Sequence, residues 1–95
     1  MQIHLPWARV THNHRTVLAE LRAGGGTPTE LRIRASIAGS KLKQPAMSKL
    51  LKRLREHGFI AETIDPNDRR LRRYTLTEKG VILADRILDG EEAGE

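Results

Sequence analysis

The sequence predicts one small domain of the α+β class, mainly helical, in the order helix-helix-helix-strand-wing-strand-helix. Three observations lead there. At 95 residues, with 38% hydrophobic and 31% charged side chains, the chain has room for a single modest core. Several segments open with helix-capping chemistry and continue with apolar residues at helical spacing. Before the last of them, two short strand-like stretches flank a run of turn-forming residues.

Thr11 can cap a first helix from about His12 to Ala23, with Val17, Leu18 and Leu21 on its apolar side. Gly24-Gly25-Gly26 ends it, because successive glycines favour turns and destabilise a helix interior. Thr27-Pro28-Thr29-Glu30 starts the second helix, with Thr27 at the N-cap, Pro28 at the first helical position and Glu30 completing a capping box. Leu31, Ala35 and Ala38 are expected inward, Ile33 and Ile37 on a different face, and Gly39 as the stop. After Lys41-Leu42-Lys43-Gln44, Pro45 opens a third helix running to His57. In it Met47, Leu50, Leu51 and Leu54 form one apolar stripe at i, i+3, i+4 and i+7. Pro45, Lys49, Lys52 and Glu56 then point away from the stripe, with Ser48 and Arg53 on its flanks. Gly58 suits a left-handed helix end. Phe59 to Ile64 and Leu71 to Leu76 read as strands, joined by the turn Asp65-Pro66-Asn67-Asp68-Arg69-Arg70. Thr77 caps a last helix through Leu88, with Val81, Ile82 and Leu88 inward. The domain is therefore expected to span residues 1–88, and the acidic segment 89–95 to be a disordered tail.

Composition excludes several functions. With no cysteine there is neither a disulfide framework nor a thiolate metal site. No apolar run approaches the ~18 residues of a membrane span. The N-terminus lacks a signal-peptide layout, so the expected location is cytoplasmic, on nucleoid DNA. His4, His12 and His14 do not make a metal site, since side chains at i and i+2 on a helix diverge and no carboxylate cluster accompanies them. There is no nucleophile elbow, phosphate loop or dinucleotide fingerprint, so no cofactor and no enzymatic activity are expected. Charge is more informative. The chain carries 17 Lys+Arg against 12 Asp+Glu, a net charge of +5. From Lys41 to Arg55 there is no acid at all, and Arg69, Arg70, Arg72 and Arg73 follow in a knot. A basic domain with such clusters points to nucleic acid. The 3% aromatic content argues against the stacking platforms of single-strand binders.

Three helices, a cationic third helix and a hairpin with a basic tip are the layout of a winged helix-turn-helix. The segment from Gln44 to Ile60 (Gln-Pro-Ala-Met-Ser-Lys-Leu-Leu-Lys-Arg-Leu-Arg-Glu-His-Gly-Phe-Ile) resembles the recognition helix of MarR-type transcriptional regulators. Asp65-Pro66-Asn67-Asp68-Arg69-Arg70, followed by Tyr74-Thr75-Leu76-Thr77-Glu78-Lys79-Gly80, is similar to that family's wing and the helix start behind it. The resemblance covers about residues 10 to 88. It implies sequence-specific binding of double-stranded DNA and transcriptional regulation, with a recognition helix at about 45–57 in the major groove and a wing at about 65–71 at the minor groove. It also implies that Asp68 and Arg70 belong together, the Asp holding the turn or orienting the Arg; a simple turn role for Asp68 is the alternative. Members of the family are usually longer and dimerise through extra terminal helices, so the dimer stalk is expected to be reduced here, and no effector ligand is assigned.

In this arrangement Gln44 and Ser48, at the leading end of the third helix, are the candidates for base edges. Gln can pair bidentately with adenine, and Pro45 can touch a thymine methyl. Lys49, Lys52 and Arg53 are candidates for phosphates. Arg69 and Arg70 reach the minor groove, and of Arg72 and Arg73, on opposite faces of a strand, only one is expected to face DNA; Arg72 is taken as that one. Leu5, Trp7 and Val10, with Val81, Ile82, Ile87 and Leu88, are more apolar surface than one small core covers. Leu5 and Trp7 either cover the core or form a self-association patch; on the second reading a homodimer with Trp7 and Ile87 as contacts is expected. The alternatives are a winged-helix module that binds protein and no DNA, an accessory phage-type DNA-binding factor, and an RNA-binding winged helix.

Overall fold

The computed structural model describes residues 4–90. It contains β1 (His4–Leu5), β2 (Ala8–Arg9), α1 (His12–Arg22), α2 (Pro28–Ile37), α3 (Gln44–Glu56), β3 (Ile60–Asp65), β4 (Asp68–Leu76) and α4 (Glu78–Asp89). The helix starts follow the capping logic of the sequence. The Thr27 hydroxyl accepts from the Glu30 amide, while the Glu30 carboxylate accepts from the Thr27 amide at 2.9 Å. The Thr77 hydroxyl accepts from the Gly80 amide at 3.1 Å. At α1 the box is closed by a residue the sequence reading passed over: His14 Nδ1 accepts from the Thr11 amide at 3.0 Å.

One core holds these elements. Val17, Leu18 and Leu21 of α1 meet Leu31 and Ala35 of α2, the whole Met47–Leu54 stripe of α3, Phe59 and Ile60, and Ala84 and Ile87 of α4. Each such buried side chain of Val, Leu, Ile or Met size stabilises by about 1.5–3 kcal/mol relative to exposure. Ile33 and Ile37 lie outside, Ile37 at 84% exposure.

Five expectations are corrected. Ala38 is not inward: α2 ends at Ile37, Ala38 is its exposed C-cap, and Gly39 turns the chain at φ +103°. Val81 and Ile82 are 41% and 58% exposed, because α4 presents Gly80, Ala84 and Ile87 to the core instead. Ile87 is 1% exposed inside the chain's own core and is not a surface contact. The element order gains a hairpin before α1 that the expected order lacks: β1 and β2 pair antiparallel around Pro6-Trp7, and Leu5 is buried. Asp89 belongs to α4, held by Arg22 at 2.6 Å, rather than to the tail. The rest of that tail, from residue 91, lies outside the described residues.

The Gly24-Gly25-Gly26 run does more than stop a helix. It crosses to β4, where the Gly26 amide donates to the Tyr74 carbonyl at 3.0 Å and the Tyr74 amide donates to the Gly26 carbonyl at 2.9 Å. Backbone runs so close there that a Cβ on Gly25 (φ +76°) would lie 1.9 Å from the Tyr74 carbonyl oxygen. A second close approach explains the glycine after Leu76-Thr77-Glu78-Lys79: a Cβ on Gly80 would lie 1.9 Å from the Phe59 carbonyl oxygen. Gly25→Ala is expected to cost at least ~2 kcal/mol, combining a left-handed backbone with a backbone clash. Gly24→Ala, whose added Cβ meets nothing within 4 Å, should cost less. Urea unfolding of the two variants checks the order; equal stabilities would mean that the Gly26–Tyr74 bridge does not hold the hairpin.

Candidate nucleic-acid interface

Burial of the Met47–Leu54 stripe decides what α3 shows to solvent. Gln44, Pro45, Ser48, Lys49, Lys52 and Arg53 are all exposed. Among the described residues no acidic side chain pairs with Lys49, Lys52 or Arg53. The opposite holds for cations that serve the fold. Arg22 pairs with Asp85 and Asp89, Arg55 with Glu62 at 3.0 Å, and Arg73 with Glu30 and Asp65. The N-terminus of α3 is also electrostatically open. Lys43 at the N-cap makes no side-chain cap, the first turn holds no acid, and Lys41, Lys43 and Arg32 gather there. Cations at the positive end of a helix dipole are unfavourable until an anion arrives.

The wing is built around a residue that sequence reasoning did not single out. Asp65 Oδ1 accepts from the Asn67 amide at 2.7 Å and from the Asp68 amide at 3.1 Å, so the loop shrinks to Pro66-Asn67. Its other oxygen accepts from Arg73 Nη1 at 3.2 Å, and the same nitrogen donates to Glu30 Oε1 at 3.0 Å. Asp65 thus shapes the loop while Arg73 ties it to the start of α2. An aspartate two residues before an amide is a turn signal legible in sequence. The link from Arg73 to Glu30, 43 residues apart, is not.

With Asp65 opposite Asp68 but Ile64 opposite Arg72, residues 69–71 have no cross-strand partner and bulge from the ladder. Arg69 and Arg70 are thereby carried away from the hairpin axis, both exposed. Asp68 accepts from Arg70 Nε and Nη2, each at 3.0 Å, a bidentate pair that holds the guanidinium in one orientation. Of the two later arginines, Arg73 turns inward to the carboxylates and Arg72 stays on the outer side. There it donates to the Arg69 carbonyl at 3.2 Å and lies 3.8 Å from Glu62.

Trp7 is half-buried, its ring 4.8 Å from that of His57, and packs on the core beside the end of α3. A groove of about 530 Å³ lies between the N-terminal hairpin and α3, lined by Trp7, His14, Leu42, Ala46, Lys49 and Arg53 among others. Among the described residues no helix is long and apolar enough to cross a membrane.

A helix-turn-helix followed by a hairpin anchored by a buried carboxylate, with exposed cations on the third helix and on the hairpin tip, defines a winged-helix protein. The sequence profile of the MarR family matches residues 11–71, and the chain belongs to that family. No curated protein sequence matches it. Among solved structures it is similar to wild-type MarR (apo form) from E. coli, with 26% identity and a TM-score of 0.73 over 90% of this chain and 62% of that one. A mutant E. coli MarR complexed with operator DNA has 28% identity and a TM-score of 0.68, covering 82% and 53%. CouR, a transcriptional repressor bound to a 23-mer DNA duplex, has 28% identity and a TM-score of 0.69, covering 83% and 53%. The chain spans about half the length of the first structures it matches.

The wing carboxylates are held below their ordinary range. The Asn67 amide, followed by Arg73, lowers Asp65; the Thr27 amide, followed by the Arg73 charge, lowers Glu30; and the Arg70 guanidinium lowers Asp68. Because the folded values lie below the unfolded ones, their contribution is complete above the ordinary carboxylate range of about 4 and is lost as pH falls through the lowered folded values. The NMR shifts of the Asn67 and Asp68 amides should therefore hold steady from neutral pH to about pH 5 and move together below about pH 4. In Asp65→Asn that joint movement should disappear. Amide shifts that titrate identically in the variant would show that Asp65 does not set the wing.

Proposed function

We propose that this chain is a sequence-specific, double-stranded DNA-binding transcriptional regulator that performs no catalysis and acts in the cytoplasm on nucleoid DNA. The observation that carries the reading is the unpaired face of α3. Lys49, Lys52 and Arg53 project from a helix whose other face is buried, while Glu30, Glu62, Asp65, Asp85 and Asp89 pair with arginines elsewhere. The open, cationic N-terminus of α3 suits a phosphate, which would satisfy both the helix amides and the gathered side chains. The DNA-bound structures of E. coli MarR and CouR support the same assignment for the matching part of this chain.

In this reading α3 enters the major groove with Gln44, Pro45 and Ser48 leading, and Lys49, Lys52 and Arg53 position the helix on phosphates. The bulged wing brings Arg69, and Arg70 oriented by Asp68, to the minor groove, with Arg72 beside them. Lys49→Ala and Lys52→Ala should each weaken binding to every duplex alike and lower the salt slope by about one unit. Titration of fluorescent duplexes at several salt concentrations measures this; slopes unchanged in both variants would remove α3 from the interface.

The regulator is further proposed to be a homodimer that reads a two-fold site, since linking two half-sites raises avidity by about 10²–10⁴ without new contacts. Ile87 lies in the core, so the contact falls to the exposed Val81 and Ile82 of α4, with Trp7 at the N-terminal side. Ile82→Glu should shift the chain from dimer to monomer in light scattering at micromolar concentration while leaving its thermal unfolding nearly unchanged. A wild-type chain that is monomeric both free and on DNA would overturn the dimer.

A further inference from the structure

Gln44, at the first position of α3, does not present a free amide. Arg32, on the outer side of α2, donates its Nε hydrogen to Gln44 Oε1 at 3.0 Å. An arginine side chain has donors and no acceptor, so only the carbonyl end of the amide can face it. The NH2 end therefore points the other way, and the guanidinium charge on the oxygen strengthens it as a donor. No other side chain is hydrogen-bonded to this Gln44 amide among the described residues.

This matters for base reading because each base pair shows a distinct pattern in the major groove. Adenine offers an acceptor, N7, beside a donor, N6, and a glutamine pairs with both only if its carbonyl is available. Guanine offers two acceptors, N7 and O6, while cytosine offers only a donor. Arg32 engages one lone pair of the Gln44 carbonyl and turns that oxygen toward α2, so the NH2 end is the one left to lead toward a base. Resting on the DNA-binding reading above, we propose that Arg32 is a specificity-determining positioning residue. It holds the Gln44 carbonyl and so makes Gln44 select guanine over adenine at the base pair it meets. Arg32 touches no base in this scheme; it acts through Gln44.

Selection of bound duplexes from a random pool tests this with wild type, Arg32→Ala, Arg32→Lys, Gln44→Ala and the Arg32→Ala/Gln44→Ala double variant. Wild type should yield guanine at one position that becomes unselective in Gln44→Ala. Arg32→Ala frees the carbonyl and should move that position toward adenine, with preferences elsewhere intact and a change of roughly tenfold in the guanine-to-adenine affinity ratio. Arg32→Lys keeps a donor and no acceptor, and should keep guanine. In the double variant, removal of Arg32 should alter no base preference beyond that of Gln44→Ala. Arg32→Ala that weakens all duplexes equally, without changing any base preference, would make Arg32 a phosphate contact only and overturn the proposal while leaving the DNA-binding reading intact. Adenine at the Gln44-dependent position in wild type would overturn it likewise. A wild-type chain that enriches no duplex at all would overturn both.

Discussion

Burial of Met47, Leu50, Leu51 and Leu54 in the shared core, with α3 packed on α2 and β3, is the constraint from which the remaining organisation follows. A helix with one face locked has its azimuth fixed, and side chains at 100° intervals then have no freedom to choose their side. Lys52 must point outward, Gln44 must lie toward Arg32 of α2, and Ala46, Lys49 and Arg53 must border the N-terminal groove. Without that burial, the same cations would ring the helix without direction.

The second dependence is electrostatic and long-range. A two-stranded hairpin is marginal alone in water. Here it is fastened at its base by the Gly26–Tyr74 backbone bridge and nearer its tip by Arg73, which spans Asp65 and Glu30. Glu30 caps α2 and receives Arg73 with the same oxygen, so the start of the helix-turn-helix and the wing share one carboxylate. In the proposed DNA-bound arrangement, a wing held rigid relative to α3 is what lets one small domain address two grooves.

Pairing divides these cations into three populations. Arg22, Arg55 and Arg73 meet carboxylates that hold α4, β3 and the wing in place, and these residues contribute to the fold. Lys49, Lys52 and Arg53 meet none among the described residues. Arg32 and Arg70 form a third kind. Each is hydrogen-bonded to a neighbour on the candidate DNA-facing surface, Gln44 and Asp68, and each pairing restricts the direction in which a polar group can act. Net charge describes the first two populations together; only the pairing separates them.

Local chemistry made much of this legible in the residues alone. Capping pairs at Thr27 and Thr77, the glycine stops and the apolar stripe of α3 depend on spacings of a few positions, and all appear where the sequence places them. The opposite faces of Arg72 and Arg73 follow from the period of a strand in the same way. What the sequence could not decide were choices made between distant segments. Val81 and Ile82 are as hydrophobic as Ala84 and Ile87, yet the close approach of Gly80 to the Phe59 carbonyl rotates α4 so that the latter pair is buried. Asp65 is a turn residue by sequence and a wing anchor only because Arg73 and Glu30 converge on it. Gln44 carries both a donor and an acceptor in sequence. Tertiary structure alone brings Arg32, twelve residues earlier, to its carbonyl, because a hydrogen bond across two helices depends on how they pack and not on either helix's own pattern.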